Sequence, residues 1–230
     1  MRYDTVFLDV DGTLIYVDLD VEGYVRDLDA YTSNGPLTVE RASGPVWESM
    51  RRHIKENIKH RDEESLAGFK RRNAQTTAEA LGISAPVETL TEVADRRISF
   101  NPYPESERVM DELRTMGAKL YAVSNWDIQL EGVLENLGWL RFFDGVIVSA
   151  VVGSEKPDGA IFEEALRASG RSDNVDHVVH VGNDPITDIF GASERGIASV
   201  FVDRRGGGIE VPGATHVLSD LTGLPALVRG

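Results

Sequence analysis

Two aspartates, Asp9 and Asp11, stand in the run Asp9-Val10-Asp11-Gly12-Thr13-Leu14, directly after the apolar stretch Thr5-Val6-Phe7-Leu8. Carboxylates this close repel one another, and a cation or a proton must relieve the repulsion. Gly12 lets the chain turn sharply and come close to a ligand. At the carboxyl end of a strand in an open parallel sheet, that is where ligands bind. Asp and Gly also make solvated turns, but average residue usage makes this run rare by chance. Three other polar sites follow apolar runs further along: Ser124-Asn125, Lys156-Pro157, and Gly182-Asn183-Asp184-Pro185-Ile186-Thr187-Asp188. Each has an ordinary explanation alone: Ser124 as a helix cap, Lys156 as a surface lysine, Asp184 and Asp188 as acids at a helix start. All four groups in chain order at one edge of one sheet are harder to explain that way.

The elements that would bring them together are legible as periodicity. Apolar, β-branched runs at 118–123, 145–148, 177–181, 198–202 and 215–218 alternate with helix-like stretches at 105–116, 128–137, 160–168 and 186–195. Near-continuous apolar strands alternating with helices predict a parallel sheet covered on both faces. Thr5–Leu8 reads as another strand of that sheet. Residues 16–100 show no strand series, and 46–81 read as helix. The expected fold class is therefore α/β, a Rossmann-like doubly wound parallel sheet (1–15 and 103–230) with an inserted helical cap domain (16–102).

The four groups together resemble the haloacid dehalogenase-like hydrolase superfamily along the whole chain. Asp9-Val10-Asp11-Gly12-Thr13 is similar to its first motif, Ser124-Asn125 to the second, Lys156-Pro157-Asp158 to the third, and Asp184 with Asp188 to the acidic fourth. The helical insertion resembles the family's cap, and Val123–Asp127 with Gly153–Asp158 is most similar to the phosphatase-type branch. The resemblance implies a Mg²⁺-dependent phosphohydrolase acting on a small phosphorylated metabolite. Asp9 would be the nucleophile and Asp11 the acid and base, with Ser124 and Lys156 completing the catalytic set. Thr13 and Asn125 would bind substrate. Asp9, Asp11, Asp184, Asp188 and Asn183 would form the metal site. Residue types support this: a phosphate ester repels an attacking carboxylate, and a hard, oxygen-seeking cation removes that repulsion. Two departures stand out. Asn183 follows the glycine of the fourth motif, where many relatives have Asp, which leaves open whether Asn183 or Asp184 faces the metal. Gly159 stands where relatives often have proline.

Composition excludes much else. The 230 residues include no cysteine, so there is no disulfide scaffold, zinc-thiolate site or cysteine nucleophile. A net charge of −14 argues against nucleic acid or anionic membranes as partners. No apolar run reaches the ~20 residues of a membrane helix. The early start of the first strand leaves no room for a secretory signal, so a cytoplasmic location is expected. Residues 41–72 carry a net +4 in an otherwise acidic chain, which could steer an anion to the insert or mark a solvated helix with pairs such as Glu48–Arg52 and Arg52–Glu56. His177 and His180 read as poor metal partners on opposite strand faces. Asp203-Arg204-Arg205 ends another strand at the same edge, where an arginine could reach substrate, and its charged, glycine-flanked composition favours a solvated loop over that. A dehalogenase of the same fold lacks the second aspartate of the first motif, so Asp11 argues against it. A phosphomutase and a non-catalytic relative stay open as alternatives.

Overall fold

The computed structural model describes residues 1–33, 35–208 and 210–230. In chain order the elements are β1 (Thr5–Leu8), β2 (Ile15–Leu19), α1 (Val21–Leu28), α2 (Val39–Glu56), α3 (Glu63–Leu81), α4 (Val87–Arg96), β3 (Ile98–Pro102), α5 (Ser106–Thr115), β4 (Lys119–Ser124), α6 (Leu130–Asn136), β5 (Gly145–Val148), α7 (Ser149–Val152), α8 (Gly159–Ser169), β6 (Val178–Gly182), α9 (Gly191–Ser193), β7 (Ala198–Val202), β8 (His216–Leu218) and α10 (Leu224–Arg229). A π-helical turn, Pro185–Phe190, runs into α9.

Six strands form one sheet in the order β5-β4-β1-β6-β7-β8, with every adjacent pair parallel. This is the α/β, Rossmann-like doubly wound arrangement. All four residues of β1 and all five of β6 are buried, as strands covered on both faces must be. Phe7, Tyr121, Val123, Ile161 and Phe162 pack together in one core cluster. Full burial of each such side chain contributes about 1.5–3 kcal/mol, and this rigid apolar body holds the polar strand ends in place. The register aligns those ends: Leu8 sits opposite Ala122 on one side and Val181 on the other. Asp9, Ser124 and Gly182 therefore leave the sheet at the same edge.

The chain divides into two compact units, Met1–Tyr16 with Pro102–Gly230, and Val17–Asn101. The second unit is built on α1 to α4, with Tyr24, Leu28, Ala78, Leu81 and Leu90 in its core. Its ends are tied by Arg97, which pairs with Asp20 at 2.9 Å and Asp27 at 2.6 Å. Among the described residues, no helix is long and apolar enough to cross a membrane.

Several local expectations are corrected. The segment 16–100 does contain strand: β2 and β3 pair as a two-stranded sheet. The stretch 46–81 is two helices, because Asp62 caps a new one by accepting from the Ser65 N–H at 2.8 Å. The pairs Glu48–Arg52 and Arg52–Glu56 give way to Glu48–Arg51 and Glu56–Lys59. Arg52 instead donates to Asn73 and Thr77 on α3. At Gly159 a Cβ would fall 1.3 Å from a guanidinium nitrogen of Arg195, so that side chain fills the space a larger residue would need.

Candidate active site

Asp9 follows the last residue of β1, is 6% exposed, and is anchored by its N–H to the Val181 carbonyl at 2.9 Å. Its two carboxylate oxygens have different partners. Oδ1 accepts from Lys156 Nζ at 2.7 Å and from the Ser124 hydroxyl at 3.4 Å. Oδ2 accepts from the Thr13 hydroxyl at 2.9 Å. Lys156 Nζ also donates to Asp188 Oδ1 at 2.6 Å, so one ammonium is shared by two buried carboxylates. Asp188 is held further by His180 Nε2 at 2.9 Å and by the Asp184 N–H, which donates to Oδ2 at 3.0 Å.

The charges decide the protonation tendencies. Burial pushes the Asp9 carboxyl above its ordinary value; Lys156 opposes the rise and the Asp188 charge adds to it. Burial would raise Asp188 as well, but the Lys156 ammonium and the His180 bond outweigh it and hold that carboxyl below the usual carboxylate range. Burial would lower Lys156, and its two carboxylates overcome that and raise it. The trio carries a net charge of −1 when all three ionise.

The structure brings Asp9, Thr13, Ser124, Lys156, Asn183 and Asp188 together. Asn125 was expected to bind substrate; its amide instead clamps the Lys156 backbone, donating to the carbonyl at 2.8 Å and accepting from the N–H at 2.7 Å. Thr13, also expected at the substrate, directs its hydroxyl at Asp9 and lies 3.2 Å from Asn183 Oδ1. Asp184 was expected to bind metal. Its carboxylate is exposed and caps the following turn, accepting from the N–H groups of Ile186 at 2.9 Å and Thr187 at 2.7 Å. Asn183 is the residue that lies against the first-motif loop. Asp11 is exposed on that loop, where its backbone bridges to Ile15.

Two glycines allow this closeness. A Cβ on Gly182 would lie 2.1 Å from the Asp188 carboxyl carbon. Gly12 has φ +76, and a Cβ there would lie 2.3 Å from Asn183 Nδ2. Gly12→Ala combines left-handed strain of about 1–2 kcal/mol with displacement of Asn183. It should lower the melting temperature modestly, while turnover falls about a hundredfold, as a shift near 1 Å in a reacting group can do. Thermal melts alongside rate measurements check this, and an unchanged rate would show that the loop tolerates the shift.

Sequence reasoning missed one residue at the site and favoured the wrong environment for another. His180 is fully buried, stacks edge-on against Phe162 and binds Asp188. Its neighbour in that reading, His177, lies outside the strand and is exposed. The available signal was a polar residue inside the apolar run Val178–Val181, since a buried polar group needs a partner. Arg204 is the second; its side chain is 13% exposed and paired with Glu105, not solvated.

The metal implied by the sequence resemblance can be tested against these donors. Among the described residues, no three acidic or histidine side chains converge as a ready metal cage. Asp188 is engaged by Lys156 and His180 at Oδ1 and by the Asp184 N–H at Oδ2, and Asp184 caps the following turn. Beside the Thr13 hydroxyl lie two oxygens, Asp9 Oδ2 and Asn183 Oδ1, while Asn183 Nδ2 lies toward Gly12. Hard oxygen donors such as these two suit Mg²⁺ in kind. The donor set fits that ion, with the Asp9 carboxylate and the Asn183 amide oxygen side by side at the Thr13 hydroxyl.

The profile of the haloacid dehalogenase-like hydrolase family matches residues 3–196. The haloacid dehalogenase-like hydrolase domain-containing protein 3 of Danio rerio is 32% identical over 134 residues, 57% of this chain and 54% of that protein. The glyceraldehyde 3-phosphate phosphatase of Methanothermobacter thermautotrophicus is 37% identical over 105 residues, 45% of this chain and 46% of that one. The chain thus spans about half the length of these curated relatives. A HAD phosphatase structure from Thermococcus onnurineus superposes with a TM-score of 0.62 at 22% identity, covering 100% of this chain and 99% of that one, which shows a shared fold.

Proposed function

The chain belongs to the haloacid dehalogenase-like hydrolase family, and from that premise we propose that it is a Mg²⁺-dependent phosphatase of a small phosphorylated metabolite, working through an aspartyl-phosphate on Asp9. The observation that carries this reading is the buried Asp9 carboxylate, oriented through both its oxygens by Lys156, Ser124 and Thr13. A carboxylate fixed at the ligand-binding edge of a parallel sheet is placed to attack in line. The phosphatase relative cited above agrees with it.

Asp9 forms a bond to phosphorus as the bond to the leaving oxygen breaks, and Asp11 delivers the proton that oxygen needs. Asp11 then takes a proton from the water that attacks the phosphoryl group, which releases inorganic phosphate and restores Asp9. Lys156 and Ser124 donate to phosphoryl oxygens where negative charge shifts. Asp9, the Asp11 main-chain carbonyl and Asn183 would hold Mg²⁺, with Asp188 orienting Lys156 from behind. The ion, when bound, screens the repulsion between the phosphate and the attacking carboxylate.

Turnover of an aryl phosphate with and without Mg²⁺ tests the reading. Mg²⁺-dependent release of inorganic phosphate supports it, and no turnover under either condition overturns it. A panel of phosphorylated metabolites then ranks substrates. A separate prediction concerns Asn183, a neutral ligand where a carboxylate would bind more strongly. Asn183→Asp should tighten Mg²⁺ binding by roughly tenfold, since affinity follows ligand charge. Without the ion it should melt below the wild type, because a further carboxylate joins Asp9. Titration calorimetry and melts read both, and unchanged Mg²⁺ affinity would remove residue 183 from the metal site.

A further inference from the structure

The flank of the first-motif loop is held by groups distant in sequence. The Leu14 carbonyl accepts from the Tyr103 N–H at 3.0 Å and from the Ser106 hydroxyl at 2.7 Å. The Thr13 carbonyl accepts from Arg204, whose guanidinium also pairs with Glu105 at 2.8 Å. The same guanidinium carbon lies 3.4 Å from the centre of the Tyr103 ring. Thr13 is fully buried, and its hydroxyl orients Asp9 Oδ2. Burial raises the Tyr103 hydroxyl, the Arg204 charge opposes the rise, and the Asp11 charge adds to it. A planar guanidinium that is stacked, ion-paired and bonded to a backbone carbonyl at once is not replaced by a lysine.

We propose that Arg204 is a positioning residue: through the Thr13 carbonyl and the Tyr103 ring it fixes the loop that carries Asp9 and Asp11. The inference rests on the phosphatase reading of that loop. Arg204 touches neither the reacting atoms nor Asp9; it acts through Thr13. Loss of this clamp lets the loop shift and leaves the sheet intact.

The test compares wild type, Arg204→Ala and Arg204→Lys. With p-nitrophenyl phosphate and Mg²⁺, both variants should lose about ten- to a hundredfold in kcat with KM within about threefold, the pattern of displaced catalytic groups. Added guanidinium ion should restore part of kcat to Arg204→Ala and none to Arg204→Lys. Amide exchange at Gly12, Thr13, Leu14 and Ile15, all bonded within the loop, should accelerate while exchange in β4 and β6 stays constant. Unchanged kcat together with unchanged loop exchange overturns the proposal. So does accelerated exchange across the whole sheet without guanidinium rescue, which would mark Arg204 as merely structural. If the wild type turns over no phosphate ester, the phosphatase reading fails, and the exchange measurement still decides whether Arg204 fixes the loop. Should Arg204→Ala not fold, Arg204→Lys carries the same comparison.

Discussion

Asp9→Asn yields a protein that folds at least as firmly as the wild type and has lost roughly a thousandfold or more of its turnover of phosphate esters. The activity loss follows because an amide is not a nucleophile toward phosphorus. The stability gain follows from the buried charges. Asp9 and Asp188 share the Lys156 ammonium, and neutralising Asp9 leaves one balanced pair. The pH dependence has a definite sign. The folded Asp9 carboxyl is raised above its ordinary 3.8, so the unfolded chain gives up that proton first as pH rises. Stability is therefore lost on going upward through and beyond that value. The advantage of Asp9→Asn should be absent well below pH 3.8 and grow above it. Melting curves across pH, paired with rates, check both halves. A variant that keeps Mg²⁺-dependent turnover would refute the nucleophile assignment.

Lys156→Met has the opposite effect on stability. It leaves Asp9 and Asp188 buried side by side with no cation between them. Removing one partner of a buried ion pair costs about 3–5 kcal/mol, a fall in melting temperature on the order of 10 °C for a chain this long. The sign again follows from linkage. In the wild type, Asp188 is held below its ordinary value; its contribution is present above 3.8 and lost as pH falls through the folded value. In Lys156→Met one carboxyl must retain a proton, so its folded value rises and stability drops as pH climbs past 3.8. The deficit of the variant should therefore widen with pH and close in acid. Turnover should fall about a hundred- to a thousandfold with the loss of a donor to the phosphoryl group. The double variant with Asp9→Asn should regain part of the lost stability, because the two residues are in contact and their effects do not add. A deficit independent of pH would mean that Lys156 contributes through packing and not charge.

The sequence alone carried the α/β class, since strand–helix alternation is a local pattern that burial on two faces imposes on residue choice. It also carried the acidic first motif and its placement after β1, because Asp9-Val10-Asp11-Gly12 is contiguous. The strand ends of the six-stranded sheet came out within a few residues, as at β4, read as 118–123 and found at Lys119–Ser124, whereas the insert's helix ends and its two strands did not. Only the tertiary structure decided which side chains act on which. Whether Asn183 or Asp184 turns toward the loop depends on a cap bond to Ile186 and Thr187. That Asn125 clamps Lys156, that His180 holds Asp188, and that Arg204 reaches Thr13 depend on contacts across 31, 8 and 191 positions of chain. Side-chain direction at such separations is set by packing against the sheet edge, and no local periodicity encodes it.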